Sequence, residues 1–153
     1  MKIEYSFCVC SDLFADRDTL WQHSTDLALV NREFFPLLKM TYPENASELT
    51  PNTVTLGKRV FRSWILLFGI FPVEYDDIVL AEVNPGHGFC EKSSMLAQNL
   101  WQHQRTITDT PTGSRVTDEI TFIPRIPYTG YLQKPLFTLL FKYRHWRLKK
   151  IFS

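Results

Sequence analysis

The sequence predicts an α+β domain: a curved antiparallel β-sheet wrapped around one long C-terminal helix, with a short helical segment after the first strand. Three observations carry that prediction. Between Arg59 and Ile123, five strand-length segments follow one another, separated by short turn-forming stretches, as in an antiparallel meander. Helical spacing is confined to the two sides of this run, which segregates helices from strands. The C-terminal segment is apolar on more than one side, through Leu136, Leu139, Leu140, Tyr143 and Trp146 with Phe137, Phe141 and Leu148, and such a helix needs broad cover.

Each element has its own signal. Lys2 to Cys10 alternates, with Ile3, Tyr5, Phe7 and Val9 on one face and Glu4, Ser6, Cys8 and Cys10 on the other, so it reads as a strand. Asp12 or Asp16 can cap the helical segment after it. From Arg17 to about Phe35, Leu20, Trp21, Leu27, Leu29, Val30 and Phe34 recur at mostly helical spacing, giving one helix or a broken pair that Pro36 stops. Leu37 to Tyr42 is a short strand candidate, and Pro43 to Asn52 is a loop. The five central strands are Arg59 to Phe68, Val73 to Val83, Phe89 to Met95, Asn99 to Thr108 and Ser114 to Ile123. Beyond Pro124 and Pro127 the chain leaves the sheet, and Pro135 suits the first turn of a helix that runs to Lys150.

A chain of 153 residues, 44% hydrophobic and 22% charged, is long enough to bury one core without a disulfide or metal staple. We read residues 1 to 153 as a single domain. No apolar run approaches the roughly 20 residues of a membrane span. The first residues lack the apolar core and small-residue cleavage site of a secretory signal, which makes the Asn45-Ala46-Ser47 glycosylation pattern a chance match. With the odd count of cysteines, Cys8, Cys10 and Cys90, this points to a reducing, cytoplasmic setting. Of 17 basic side chains, five fall in Lys142 to Lys150, where no acid stands; the other 12 are outnumbered by 16 acids. That makes a basic pole on a mildly acidic body, fit for a helix C-terminus or for phosphates.

Three segments resemble a known family: Trp101-Gln102-His103-Gln104-Arg105, then Gly113 to Pro124 reading GSRVTDEITFIP, then Phe141 to Leu148 reading FKYRHWRL. The chain is similar to the SRPBCC superfamily, which includes START lipid-transfer domains, polyketide cyclases and pollen-allergen-like proteins, and above all to its uncharacterised ligand-binding members. The resemblance implies a helix-grip fold with an apolar cavity between the sheet and the C-terminal helix. Where such sequences often carry Phe-x-Asp-x-Gln, this chain reads Phe89-Cys90-Glu91-Lys92-Ser93, so no role tied to that Asp or Gln is carried over.

Strand alternation sets Trp101, His103, Arg105 and Ile107 on one face, and Val116, Asp118, Ile120 and Phe122 on one face of the next strand. A turn centred near Pro111 and Thr112 opposes Arg105 to Asp118, and a two-residue slip would substitute His103. An aromatic and aliphatic surface with a few convergent polar groups suits a small-molecule pocket. Its expected lining is Trp101, His103, Arg105, Asp118, Ile120 and Phe122 from the strands, Leu136, Leu140 and Tyr143 from the helix, and Trp64. The expected function is binding or transport of a hydrophobic or amphipathic small molecule, such as a lipid, an isoprenoid or a polyketide-like compound, without a cofactor. A cyclase or dehydratase-like enzyme with Asp118 and His103 as acid and base is the alternative, and a protein- or membrane-interaction module is another. Leu67 to Phe71, apolar in a turn, and the basic C-terminal end would supply a peripheral membrane contact.

Other chemistry finds little footing. His87 and Cys90 lack the second pair a zinc site needs, and Asp76 and Asp77 point to opposite faces of a strand. Neither a Gly-x-Ser-x-Gly elbow nor a phosphate-cradling glycine loop is present. A near-neutral charge without RNP-type strand motifs argues against nucleic acid.

Overall fold

The computed structural model describes residues 2–44 and 54–153. Most of the expected loop, Asn45 to Asn52, and the Asn45 glycosylation pattern lie outside the described residues. Among the described residues, the strands and α-helices in chain order are β1 (Tyr5–Leu13), α1 (Arg17–Thr25), α2 (Leu27–Phe34), β2 (Leu38–Met40), β3 (Arg59–Leu67), β4 (Phe71–Asn84), β5 (Gly88–Met95), β6 (Gln98–Thr110), β7 (Gly113–Pro124) and α3 (Gly130–Ile151). A short 3-10 helix, Pro127–Thr129, leads into α3.

Seven strands form one antiparallel sheet in the order β1-β7-β6-β5-β4-β3-β2. The expected α+β helix-grip architecture is what forms. β1 and β2 lie at opposite edges, so the chain crosses the full width of the sheet between them, and α1 and α2 make that crossing. Asp16 caps α1 by accepting from the Thr19 N–H at 2.7 Å; Asp26, extended at ψ 112°, breaks the helix and caps α2 through the Ala28 N–H at 2.9 Å. The sequence left one helix or a broken pair open, and Asp26 decides for the pair.

Several boundaries differ from expectation by a few residues, and two of them have a direct physical reason. β1 begins at Tyr5 rather than Lys2: Tyr5 pairs with Phe122, and β7 ends two residues later at Pro124, which has no N–H to extend the ladder. The last helix starts at Gly130, so Pro135 sits inside it rather than in its first turn. The proline costs only the donor for the carbonyl of Tyr131, a residue 69% exposed where water can serve instead.

The β6–β7 hairpin turns at Pro111 and Thr112 and opposes Trp101 to Phe122, His103 to Ile120, Arg105 to Asp118 and Ile107 to Val116, the register expected from sequence. α3, 22 residues and therefore about 33 Å long, is laid over β1 and β7. There Phe141 of the helix closes on Met95, Trp101, Ile120 and Phe122, with Phe7 and Phe137 packed around them. A second cluster, Leu13, Leu20, Ile107, Val116 and Leu148, ties α1 and the end of α3 to the sheet. Because the helix leans on the β1–β7 side, the concave face of β3 to β6 stands away from it.

Candidate functional site

That stand-off leaves a cavity of about 590 Å³ between α2, α3 and strands β2 to β6. Most of its wall is aliphatic or aromatic, from Leu27 and Val30 on α2 through Ile78, Leu80 and Met95 on the sheet to Phe137 and Leu140 on α3. Phe68, Val73 and Leu136 belong both to the wall and to the exposed surface, being 58%, 51% and 63% exposed, and they mark an apolar rim.

Of the residues expected to line a pocket, Trp101, His103, Arg105, Leu136 and Leu140 are on this wall. Asp118, Ile120 and Phe122 are not: α3 packs directly on β7 and seals them into the core, each 0% exposed. Tyr143 lies off the wall too, turned outward so that its hydroxyl donates to the Phe35 carbonyl, and Trp64 sits on the convex face against Tyr75.

Below the cavity floor is a buried polar network. Asp118 accepts from Arg105 through Nε and Nη2, both at 2.8 Å, from His103 Nε2 at 2.7 Å and from His145 Nε2 at 2.7 Å. The acceptor is an ionised carboxylate, so both rings present an Nε2–H to it, and His145 Nδ1 is hydrogen-bonded with the Ser11 hydroxyl at 2.8 Å. Burial opposes the charge on Asp118, but Arg105 and then His103 hold its carboxyl well below the usual carboxylate range. Arg105 also reaches Glu33 of α2 at 3.0 Å, and Arg144 of α3 donates to the same Glu33 oxygen at 3.1 Å. Burial opposes the charge of Glu33 as well, and these two guanidinium groups more than offset it. Two arginines and two carboxylates thus balance, stapling α2 and α3 to β6 and β7.

Arg144 is a correction to the basic pole. It is buried, stacked against the rings of Phe34 and Phe141 at 4.4 and 4.8 Å, leaving Lys142, Arg147, Lys149 and Lys150 for the surface. The three cysteines are free, Cys8 and Cys10 exposed and Cys90 buried. His87 meets the guanidinium of Arg17. Among the described residues no three His, Cys, Asp or Glu side chains converge on a metal position, and no helix is long and apolar enough to cross a membrane.

Sequence reasoning placed none of Glu74, Asp76 and Glu91 in the pocket, Asp76 having been weighed only as a pair with Asp77, yet all three line the sheet side of the cavity. Alternation alone would have found them. Glu74, Asp76, Ile78 and Leu80 share one face of β4, and Phe89, Glu91, Ser93 and Met95 share one face of β5.

Comparison with known proteins supplies a fold and a family. A family model described as a domain of unknown function, DUF8410, matches residues 11–152. No curated protein matches the chain. A Chromobacterium violaceum protein superposes with a TM-score of 0.68 at 12% identity, covering 96% of each chain. A START superfamily protein of Mycobacterium smegmatis gives 0.65 at 9% identity, over 97% of this chain and 96% of that one. DynU16, a protein of the dynemicin biosynthetic locus, gives 0.60 at 19% identity, over 95% of this chain and 46% of that one. At such identities the likeness is one of fold alone, the helix-grip arrangement of a curved antiparallel sheet and a long C-terminal helix.

Proposed function

Since the chain belongs to the DUF8410 family, a domain of unknown function, its role has to be read from its own site, and we propose that it binds a hydrophobic or amphipathic small molecule in the cavity under α3. One observation carries this reading: a space of about 590 Å³, within the range of small-molecule pockets, is walled by apolar side chains and reaches the surface at an apolar rim. Lipids, isoprenoids and polyketide-like compounds share the required chemistry. Trp101, Leu136 and Leu140 would touch the apolar body of such a ligand. Asp118, Ile120 and Phe122 would act from beneath, by fixing Arg105, His103 and Trp101 in the wall. The likeness in fold to a START superfamily protein and to a dynemicin-locus protein agrees with this class of ligand.

Acid–base catalysis by Asp118 and His103 draws less support. Each Asp118 oxygen already accepts two hydrogen bonds, which leaves the group committed to holding the fold together. Titration with the neutral fluorescent probe N-phenyl-1-naphthylamine tests the binding reading. Saturable binding of one probe per chain, with quenching of Trp101 emission, is expected; fluorescence that rises linearly without saturation would overturn it.

A second reading concerns access, and the exposure of Phe68, Ile70 and Phe71 at the β3–β4 turn favours it. This apolar tip borders the cavity mouth, so we propose that it touches a membrane surface while ligand enters or leaves. Phe71→Asp should abolish co-sedimentation with vesicles of mixed neutral and anionic lipid. Sedimentation unchanged by that substitution would remove the membrane from the account.

A further inference from the structure

The sheet side of the cavity is rich in acceptors and poor in donors. Glu74 is satisfied by backbone, its oxygens accepting from the N–H groups of Tyr75, Leu96 and Ala97 at 2.9, 2.6 and 3.2 Å. Glu91 accepts from the Ser93 hydroxyl at 2.6 Å, while Ser93 Oγ accepts from the Val79 N–H. Asp76, 2% exposed, has Oδ1 without a partner. Among the described residues no Lys, Arg or His forms an ion pair with any of the three, and residues 45–53 contain none of these types.

An uncharged side chain points the same way. Gln98 is 0% exposed, lines the cavity and has Oε1 unpartnered. Its orientation is fixed by a chain of donors. The Thr129 hydroxyl donates to the Ile126 carbonyl and so accepts from Gln133 Nε2; this turns Gln133 Oε1 toward Gln98, whose Nε2 donates to it at 2.8 Å. Oε1 is the end that remains without a partner. Two buried acceptor oxygens, one of them on a carboxyl group, therefore lack a donor at one wall of a cavity that is mostly apolar.

We propose that this wall, formed by Glu74, Asp76, Glu91 and Gln98, takes a protonated amine carried on an apolar body. The inference rests on the ligand-binding reading above and narrows it to lipophilic amines. An ammonium offers up to three donors and the missing positive charge, which an alcohol or a carboxylate does not. No neighbouring group supplies that charge. From β3, Ser63 faces Asp76, while Arg59 and Arg62 are turned outward onto Asp77. From β6, His103 lies beside Glu91 but gives its Nε2–H to Asp118, and Arg105 is divided between Asp118 and Glu33. From α3, Arg144 is paired with Glu33 of α2. Burial, with the charge of Glu91 next, holds the Asp76 carboxyl well above the usual carboxylate range, so an arriving ammonium would displace a proton from the pair.

Calorimetric titration with decylamine, decan-1-ol and decanoate tests this on the unmodified protein. Decylamine should bind about tenfold tighter than decan-1-ol, the scale of one charge-assisted hydrogen bond, and decanoate weakest of the three. Its affinity should rise with pH as Asp76 becomes easier to ionise, with an enthalpy that depends on the buffer because protons are released. Decan-1-ol affinity should not change with pH. Asp76→Asn should bring decylamine down to the affinity that decan-1-ol shows for the same variant, and Glu91→Gln should act likewise. Alcohol or carboxylate binding as tightly as amine, or an amine preference that survives both substitutions, would overturn the inference while leaving the cavity reading intact. Failure of all three compounds to bind would sink the cavity reading itself.

Discussion

Asp118 accepts from four donors inside a wholly buried site, so its removal leaves Arg105 with one of its two carboxylate partners and two histidine N–H groups with none. Asp118→Asn should destabilise the fold by about 3 to 5 kcal/mol in urea unfolding, the range for breaking a buried ion pair from one side. Arg105→Met combined with Asp118→Leu should cost less than the two single changes added together, though not nothing, because Glu33 loses one of its two guanidinium partners. Asp76 behaves in the opposite sense. Its folded carboxyl is held above its unfolded value, so the group is harmless below about pH 4, where both states are protonated, and destabilising as pH rises beyond that. Asp76→Asn should therefore stabilise by about 1 kcal/mol at pH 8 and by almost nothing at pH 3.5, read as the difference between melting curves. The Arg105–Asp118 pair was legible in the sequence because hairpin register and alternation are local rules. Glu33 and Arg144 were not, since one belongs to a helix face shared with Val30 and Phe34 and the other falls within a basic run. Only the packing of α2 against α3 shows that both turn inward.

At the scale of elements, the strands were legible to within a few residues because turns and alternation mark them from inside. Their ends depended on partners: Tyr5 starts β1 where β7 stops. β5 opens at Gly88 with φ 155°, and a Cβ placed there would stand 2.1 Å from the Arg105 carbonyl oxygen across the ladder. Any side chain must push β5 off β6 at the strand pair that carries Arg105, His103 and Glu91. Gly88→Ala should accordingly cost about 3 kcal/mol and shift the amide signals of Arg105 and Thr106 in NMR spectra. Wild-type stability with unmoved signals would show that the strand edge yields more easily than this contact allows. α3 shows a different limit of sequence reading. Its apolar residues surround it, so periodicity could not say which flank meets the sheet. Phe141, Arg144, His145 and Leu148 are inside, while Leu136, Leu139 and Trp146 are more than half exposed.

For the whole molecule, the question is whether the space under α3 is built to receive a ligand or is loosely filled core. Leaning of α3 onto β1 and β7 is a global property, set by where Phe141 and Leu148 find their clusters, and no single motif encodes it. The sheet's curvature then leaves β3 to β6 uncovered, and this places Trp101, His103 and Arg105 at the cavity while burying Phe122 beneath the helix. Packing energetics separate the two interpretations through one pair of enlargements on the same helix. Leu140 faces the cavity, whereas Leu148 is 1% exposed and enclosed by Leu13, Leu20, Ile107 and Val116. In a tightly packed core an added ring forces side chains off their rotamers and costs about 1 to 3 kcal/mol. Leu148→Trp should show that loss. Leu140→Trp has space to enter, so it should leave stability within about 0.5 kcal/mol or raise it slightly, while reducing N-phenyl-1-naphthylamine affinity by about tenfold. Equal destabilisation by both would mean that α3 is gripped as closely at Leu140 as at Leu148, and the ligand would then need a place elsewhere. A neutral Leu140→Trp that blocks the probe ties affinity to the same volume that the fold leaves under its helix.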